Sequence, residues 1–315
     1  MSEISQKNPL VTVNILSYNR KDDLRVTLTK VFEQDYKNIE VIVVDNASSD
    51  GTIAMVENEF PTVQLIKMEK NIGIAGWNEG FKIAQGDYVL VLDDDSYPER
   101  NAISESIKIG HSSLSCGIVA CSVYNTRTRK SQTDHLNNFP VLTFVGCGAV
   151  LRTQCIREAG MYEPLLFIYA HEDEFSMRII DAGYSIRYIP SAQIYHQSSL
   201  SHREIDQNSI DARKLFFSVR NTIVILLLHF PLHRTFFRLL RILLGKLYYG
   251  LKNRQLNTVV RSWLSVGRDL GTIIVRRRIL SKNTLKLYRY GAFAGGFFFS
   301  DAPLRESFPP LHGNR

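Results

Sequence analysis

The chain has 315 residues, of which 44% are hydrophobic and 22% are charged, a composition typical of a globular protein with a sizeable core. Its four cysteines form no CxxC pair and show no metal-ligand spacing, which excludes a disulfide scaffold and indicates buried thiols in a reducing compartment. The first ten residues lack the basic-then-apolar pattern of an export signal, so we expect a cytoplasmic protein.

The net charge of +7 is divided unevenly along the chain. Residues 1–212 contain 19 Lys and Arg against 28 Asp and Glu, whereas residues 213–315 contain 19 Lys and Arg against three acidic residues. This asymmetry predicts two regions, 1–212 and 213–315, that face different partners. The basic region either meets an anionic surface or carries its charges only on solvated helix faces.

Strands and helices alternate up to about residue 95. Apolar, β-branched runs predict strands over Val11–Leu16, Ile39–Val44, Val63–Met68 and Tyr88–Leu92. Amphipathic segments predict helices over Asp22–Glu33, Thr52–Glu59 and Ala75–Ala84. This alternation predicts an α/β fold with a mainly parallel sheet that is covered by helices on both faces.

The pattern between residues 96 and 212 is less regular. We predict helices over Glu99–Ile109 and Glu172–Ala182, strands over Gly117–Val123, Phe144–Leu151 and Ser185–Ile189, and a surface loop over Asn125–Asn138. Glu174 and Arg178 lie four residues apart in the second helix, so we expect a surface ion pair there.

After Arg213 the sequence consists of long Leu-, Ile- and Phe-rich segments that predict helices. The longest apolar run, Thr222–Phe230, is far shorter than the roughly 20 residues that a spanning helix needs. Segment Phe236–Leu251 places arginines and a lysine among leucines and tyrosines, which is typical of a helix lying on a membrane surface. Simple packing of these helices on the N-terminal part is the alternative.

Three consecutive carboxylates follow a buried strand in VLVLDDDSYP, Val89–Pro98. They stand at the carboxyl end of a predicted parallel strand, where open α/β sheets form their ligand crevices. Three adjacent carboxylates repel one another, and oxygen ligands suit Mg²⁺ or Mn²⁺ bound to substrate phosphates. Asp93, Asp94 and Asp95 therefore predict a metal site, against the alternative of a solvated helix-capping turn.

Two other strands end in polar residues. SYNR, Ser17–Arg20, follows the first strand, and VVDNASSDGT, Val43–Thr52, brings Asp45 to the end of the second. Each alone is ordinary turn chemistry, but carboxyl ends of neighbouring parallel strands meet at one edge of the sheet. Together the three strand ends predict a nucleotide pocket.

These motifs resemble those of family 2 glycosyltransferases, which include bacterial rhamnosyltransferases and many other sugar transferases. The matching segments are SYNR, VVDNASSDGT, Asn71–Asp95 (NIGIAGWNEGFKIAQGDYVLVLDDD) and Phe167–His196, and together they cover residues 10–200 in the expected order. The resemblance implies the GT-A fold, a Rossmann-like α/β fold with a mainly parallel sheet, followed here by a helical C-terminal region.

The resemblance also implies roles for individual residues. Those placed around the nucleotide and donor sugar are Ser17, Tyr18, Asn19, Asp45, Asn71, Gly73, Asn78, Asp93 and Asp94. Asp93 and Asp95 match the outer acids of the DxD motif, and Asp95 is expected to bind the metal directly. His196 matches a histidine that closes over the diphosphate and the metal.

The general base is expected in HEDEFSMR, but the alignment leaves it open. Counting back from Arg178 places the base at Glu172, whereas matching the literal Glu-Asp pair places it at Asp173. Neighbouring helical residues point about 100° apart, so both cannot face the acceptor equally. We favour Glu172 and retain Asp173.

The predicted activity is inverting transfer of a sugar from a UDP- or dTDP-linked donor, with Mg²⁺ or Mn²⁺. The predicted acceptor is a hydroxyl of a glycan or lipid-linked precursor of a cell-surface polysaccharide, at the inner face of the cell membrane and without nucleic acid. A glycosidase would not need the nucleotide-type strand ends, and SYNR lacks the glycine-rich phosphate loop of a nucleotidyltransferase. A nucleic-acid-binding module is not recognisable in the basic region.

Overall fold

The computed structural model describes residues 8–137, 141–198 and 207–288. Its strands are β1 (Val11–Ser17), β2 (Ile39–Asp45), β3 (Gln64–Lys67), β4 (Tyr88–Asp93), β5 (Ser96–Pro98), β6 (Cys116–Asn125), β7 (Lys130–Ser131), β8 (Ala149–Arg152) and β9 (Ser185–His196). Its α-helices are α1 (Lys21–Phe32), α2 (Thr52–Glu59), α3 (Gly76–Ile83), α4 (Ala102–Ser112), α5 (Thr153–Ala159), α6 (His171–Asp181), α7 (Gln207–His229), α8 (Leu232–Lys252), α9 (Leu256–Arg276) and α10 (Lys282–Leu287).

One sheet organises the fold, in the order β3-β2-β1-β4-β8-β6-β9-β5, with β7 paired to β6. β1 pairs in parallel with both β2 and β4, and β8 is antiparallel to β4 and β6. The central strands are buried along most of their length, as expected for the continuous apolar runs of a sheet covered on both faces. The predicted α/β fold with a mainly parallel sheet is confirmed.

Three predictions between residues 99 and 196 were wrong or incomplete. In the predicted strand Phe144–Leu151 only the end is extended as β8, because the apolar residues before it pack as a buried loop. The predicted surface loop Asn125–Asn138 contains β7 and a 3-10 turn, whose Leu136 is buried in the core. β9 runs past the predicted end at Ile189 because a bulge accommodates Pro190 before pairing with β6 resumes.

The C-terminal helices share a core with the segment around α6. Buried residues of α7, α8 and α9 form one apolar cluster with Leu142, Leu166, Ala170 and Met177. The predicted apolar run Thr222–Phe230 forms the end of α7 and the residue after it, and most of its apolar side chains belong to this cluster. The predicted division at residue 212 falls inside α7. Among the described helices, none combines the length and the apolar character that crossing a bilayer requires.

Candidate active site

The polar ends of β1, β2 and β4 meet at one edge of the sheet. In the strand register Ser17 lies beside Asp45, and Leu16 lies beside Asp93. Asp45 accepts a hydrogen bond from the Ser48 backbone at 2.9 Å through one carboxylate oxygen. Its other oxygen and the Ser17 hydroxyl are buried without a hydrogen-bond partner in the described residues. Buried polar atoms in this state are costly unless a ligand satisfies them, so this corner can receive a polar ligand.

The loop after β1 folds over the acidic triplet. The backbone N–H of Tyr18 donates to the Asp94 carboxylate at 2.9 Å. Asn19, in the left-handed region with φ of 51°, accepts from the Ser49 backbone at 2.7 Å. The predicted residues Ser17, Tyr18 and Asn19 are thus brought beside Asp45 and the triplet.

A buried arginine neutralises part of the triplet. The Arg20 guanidinium lies 3.3 Å from a carboxylate oxygen of Asp94 and forms a shorter ion pair with Asp95. Burial raises the pKa of Asp94 to about 7 despite the opposing effect of Arg20. Burial, and then the charge of Asp95, likewise raise the pKa of Asp93. Positive charge next to the triplet favours its ionised carboxylates, and Arg20 supplies part of that charge.

His196, at the end of β9, faces the triplet from the opposite side. Its Nε2 lies 3.5 Å from an Asp95 carboxylate oxygen, and its Nδ1 lies 2.9 Å from the side-chain oxygen of Gln132. Burial disfavours the charged ring, but Cys147 and Asp95 raise the pKa of His196 to about 11. The predicted pair Asp95 and His196 is brought together.

Cys147 also reaches this centre. The ligand atoms of Asp93, Cys147 and His196 lie within 4.8 Å of one another, which is close enough for one metal ion. Burial raises the pKa of the Cys147 thiol. Carboxylates and imidazole suit Mn²⁺, whereas a thiol is a softer ligand, so Asp93, Asp95 and His196 fit the predicted ion better than Cys147 does.

The two base candidates at the start of α6 point to different surroundings. Glu172 faces the Gly146 backbone, next to Cys147, and lies 3.1 Å from Nδ1 of His171. The Glu172 side chain is 26% exposed. Asp173 is buried and bonds to Thr143. Burial raises the pKa of each carboxyl to about 7. Of the two carboxylates, Glu172 is therefore the one that is partly exposed, and it lies on the side of Cys147.

The segment after β3 forms a tight turn against the loop that precedes α6. Asn71 accepts a hydrogen bond from the Gly73 backbone at 2.8 Å and another from the Asn46 amide at 3.0 Å. Gly73 has φ of 65°, and a Cβ there would overlap the backbone of Phe167. Asn78 lies deeper, where both ends of its amide bond to the Tyr162 backbone at 2.9 and 3.0 Å. Asn71 thus contacts the loop after β2 through Asn46, and contact of Asn71, Gly73 or Asn78 with a donor stays a prediction.

Helix α7 holds the loop that leads into α6. Three non-glycine residues of this loop adopt positive φ, namely Phe167 (26°), Tyr169 (67°) and Ala170 (61°). The fully buried Asn221 points its amide nitrogen at the carbonyl oxygens of Leu166, Ile168 and Tyr169, at 2.8–3.1 Å. A backbone in this conformation is destabilised by an amount on the order of 1–3 kcal/mol per residue. It persists only where surrounding contacts hold it in place. The three hydrogen bonds of Asn221 supply part of these contacts.

The expected surface pair of Glu174 and Arg178 was wrong, because both side chains are buried. Two guanidinium nitrogens of Arg178 bond to the Glu174 carboxylate at 2.7 Å each. Arg178 also donates to the backbone carbonyls of Ala159, Gly160 and Met161. His229, at the end of α7, approaches the same carboxylate at 2.8 Å. This network ties the helix of the base candidates to the C-terminal helices.

Sequence reasoning missed three residues at this site. Arg20 directly follows Asn19 in the SYNR motif, so the sequence already placed it next to the predicted site residues. Cys147 gave no signal, because the spacing of the cysteines says nothing about a histidine on another strand. Asn221 directly precedes the apolar run of α7. An amide next to such a run needs hydrogen-bond partners when buried, and this was the signal in the sequence.

Comparison with known proteins gives a family for most of the sheet. Residues 12–158 match the model of glycosyl transferase family 2. WfaP of Escherichia coli, a UDP-Glc:alpha-D-GlcNAc-diphosphoundecaprenol beta-1,3-glucosyltransferase, is 38% identical over 101 residues, which are 31% of this chain and 40% of WfaP. The teichuronic acid glycosyltransferase TuaG of Bacillus subtilis, a putative enzyme, is 32% identical over 104 residues, or 32% of this chain and 41% of TuaG. The match thus spans well under two thirds of each relative.

Solved structures give the same fold over most of the chain. The mannosyltransferase PcManGT of Pyrobaculum calidifontis, in complex with GDP-Man and Mn²⁺, superposes with a TM-score of 0.56 at 20% identity, over 91% of this chain and 80% of that one. TarS 1-349 of S. aureus, in complex with UDP-GlcNAc, gives a TM-score of 0.55 at 16% identity, over 85% and 81% of the two chains. Residues 12–158 therefore match glycosyl transferase family 2, and the described chain has the GT-A fold of these solved structures.

Proposed function

We propose that the protein transfers a sugar, with inversion, from a nucleoside-diphosphate sugar to a hydroxyl of a glycan or lipid-linked acceptor in cell-surface polysaccharide synthesis. The observation that carries the proposal is the convergence of Ser17, Asp45 and Asp93 at one sheet edge, beside Asp95 and His196. The diphosphoundecaprenol acceptor in the name of WfaP supports a lipid-linked acceptor. UDP-GlcNAc bound to TarS supports a UDP- or dTDP-linked donor.

The donor nucleotide would lie over the ends of β1 and β2. The buried, unpartnered Asp45 oxygen and Ser17 hydroxyl supply an acceptor and a donor of hydrogen bonds for a nucleobase or ribose. The Asn71–Gly73 turn would flank the donor, and the missing Cβ at Gly73 lets this turn pack closely on the Phe167 backbone. Asp93 and Asp94 would face the ribose and the diphosphate.

A Mg²⁺ or Mn²⁺ ion would be held by Asp95 and His196, with Asp93 within reach. When bound, such an ion offsets the negative charge that develops on the departing nucleoside diphosphate. Arg20 already contacts Asp94 and Asp95, so its guanidinium is close enough to meet the same diphosphate.

Glu172 is the proposed general base, and Asp173 is the second candidate. The acceptor hydroxyl gives its proton to the Glu172 carboxylate while its oxygen forms a bond to the anomeric carbon. The bond from that carbon to the diphosphate oxygen breaks, and its electron pair leaves with the nucleoside diphosphate. The exposure of Glu172 on the metal side and the burial of Asp173 support this assignment.

We further propose that the protein acts at the inner face of the cell membrane as a peripheral protein. Lipid-linked acceptors stay in the membrane, so an enzyme that uses them must work at its surface. The proposed partners are the nucleotide sugar, the glycan or lipid-linked acceptor and an anionic membrane surface, without nucleic acid.

Asp95→Ala tests the proposed function. The variant should lose transfer, measured as release of nucleoside diphosphate from a panel of nucleotide sugars, while its circular dichroism spectrum stays that of the wild type. Mn²⁺ with UDP should raise the melting temperature of the wild type and not of the variant, since only a formed site gains stability by mass action.

The matched control is Asp35→Ala, which removes an exposed carboxylate far along the sequence from the triplet. It should retain transfer and the Mn²⁺ effect. Transfer by folded Asp95→Ala at the rate of Asp35→Ala would refute the metal assignment. Release of free sugar without nucleoside diphosphate would refute the reaction.

A further inference from the structure

Helix α8 has two apolar faces, and only one of them is packed. Thr235 and Ile242 lie on the inner face and are buried, and Leu239 and Leu243 pack beside them against the shared core. The outer face remains open to solvent. Its large exposed residues are Phe236, Phe237, Leu240, Leu244, Tyr248 and Leu251, and we call them the outer face of α8.

The outer face is a continuous stripe. Phe236, Leu240, Leu244 and Tyr248 recur every four residues, so each successive side chain turns by about 40° around the helix axis. Phe237 and Leu251 fall within the same arc of about 120°. Phe236 is 62% exposed, Phe237 is 74% exposed and Tyr248 is 68% exposed, which is unusual for three aromatic residues on one helix face.

Basic residues border this stripe. Arg241 and Lys252 are exposed and lie about 20–40° beyond Tyr248 on the helical wheel, at the edge of the apolar arc. Between residues 213 and 288 the sequence has 16 Lys and Arg and a single acidic residue, Asp269. Asp269 is paired with Arg220 in the structure. The segment that contains the outer face therefore carries almost no negative charge.

We propose that the outer face of α8 inserts into the interface of an anionic membrane, with Arg241 and Lys252 against the lipid headgroups. An apolar arc bordered by cations is the arrangement that a helix lying in the headgroup region requires. A second copy of this chain fits poorly, because two faces of the same positive charge would have to meet. Nucleic acid would use the cations but has no need of the exposed aliphatic and aromatic stripe.

The inference deepens the proposed function. It rests on that function only where it says that membrane binding holds the enzyme next to a lipid-linked acceptor. Its test uses vesicles without donor or acceptor. Asp95→Ala should therefore bind vesicles as the wild type does. Failed vesicle binding would overturn the docking face alone, and transfer by Asp95→Ala would overturn the metal assignment alone.

Binding is measured by co-sedimentation of the full chain with vesicles of phosphatidylglycerol and phosphatidylcholine, or of phosphatidylcholine alone. The wild type should bind the anionic vesicles, and about 0.5 M salt, roughly three times the physiological ionic strength, should weaken this binding. Phe236→Ser with Phe237→Ser should lower the affinity about 100-fold, since two aromatic side chains no longer leave water. Arg241→Glu with Lys252→Glu should lower it about tenfold or more.

Matched controls come from the catalytic part. Leu114→Ser removes a leucine that is 72% exposed in the turn before β6, and Arg157→Glu reverses an exposed charge on α5. Both should bind vesicles as the wild type does. Equal binding by the phenylalanine variant and Leu114→Ser would overturn the proposal. Equal binding of the wild type to neutral and anionic vesicles would overturn it too.

A probe on the face itself separates the other occupants. All four native cysteines are buried, so Phe237→Cys offers one exposed thiol for an environment-sensitive fluorophore. Its emission should shift to the blue with anionic vesicles and stay unchanged with duplex DNA or poly(U) RNA. A shift with nucleic acid, a dimer that Phe236→Ser dissociates, or a probe shielded before vesicles are added would each overturn the proposal.

Discussion

Replacing Arg178 should destabilise the protein more than any change of a surface ion pair. Every guanidinium N–H of Arg178 has an acceptor, two of them on Glu174 and three on backbone carbonyls of residues 159–161. The Glu174 side chain is 1% exposed. Arg178→Met would keep the volume but leave this carboxylate without its guanidinium partner, with the His229 ring still 2.8 Å away, and leave three carbonyls without their donor.

The expected loss in the free energy of unfolding is about 4 kcal/mol, in the range of 3–5 kcal/mol that removal of one partner from a buried pair costs. Urea unfolding followed by circular dichroism would measure it. Arg25→Met is the matched control, because Arg25 pairs with Glu59 and Asp22 at the surface and should lose far less. The double variant Glu174→Met with Arg178→Met should recover part of the loss, since the buried charge is removed as well.

The same pair predicts a pH dependence. Burial opposes the ionised carboxylate, but Arg178 and His229 prevail and lower the pKa of Glu174 from 4.5 to about 2. The stabilisation is therefore present above pH 4.5 and is lost as the pH falls towards 2. Arg178→Met should flatten this part of the stability profile. A loss by Arg178→Met no larger than that of Arg25→Met, with an unchanged acid profile, would refute the reasoning.

Three further predictions concern the proposed reaction. Glu172→Gln should lower kcat by roughly 10²–10⁴-fold, whereas Asp173→Asn should keep most of the activity, and equal losses would reopen the choice of base. Since burial raises the pKa of Glu172 to about 7, kcat of the wild type should rise with pH up to about that value and then level, as a pH–rate profile would show. Gly73→Ala should raise KM for the donor, because the new Cβ meets Phe167 and φ is 65°, and an unchanged KM would contradict that account. The exposed Gly183→Ala, which has free space around it but a similar φ, is its control.

The part of the site that depends on strand order was predictable from the sequence. The apolar runs that end at Ser17, Asp45 and Asp93 indicated neighbouring parallel strands, and the register places these ends side by side. Only local pattern and the rule for parallel sheets were needed. Helix α6, which carries the two base candidates, was predicted within one residue at each end from its local sequence pattern.

Contacts between distant segments were not predictable. Glu174 and Arg178 have the spacing of a surface pair, and only His229, 55 residues further along, and the carbonyls before α6 make them a buried network. Cys147 meets His196 because a loop with two glycines follows Phe144, and the apolar character of that loop had predicted a strand. A single sequence gives spacing within an element but not the partner that arrives from another one.

The left-handed loop at residues 167–170 has a consequence for engineering. The carbonyl of Phe167 accepts a hydrogen bond from Ile74 beside the donor turn, and the same loop ends where α6 begins. Transplanting the segment around Asn71 from a homologue would therefore also disturb the start of α6, where the proposed base Glu172 lies. A chimera should carry the turn, this loop and Asn221 as one cassette, because the three segments share a single set of backbone contacts.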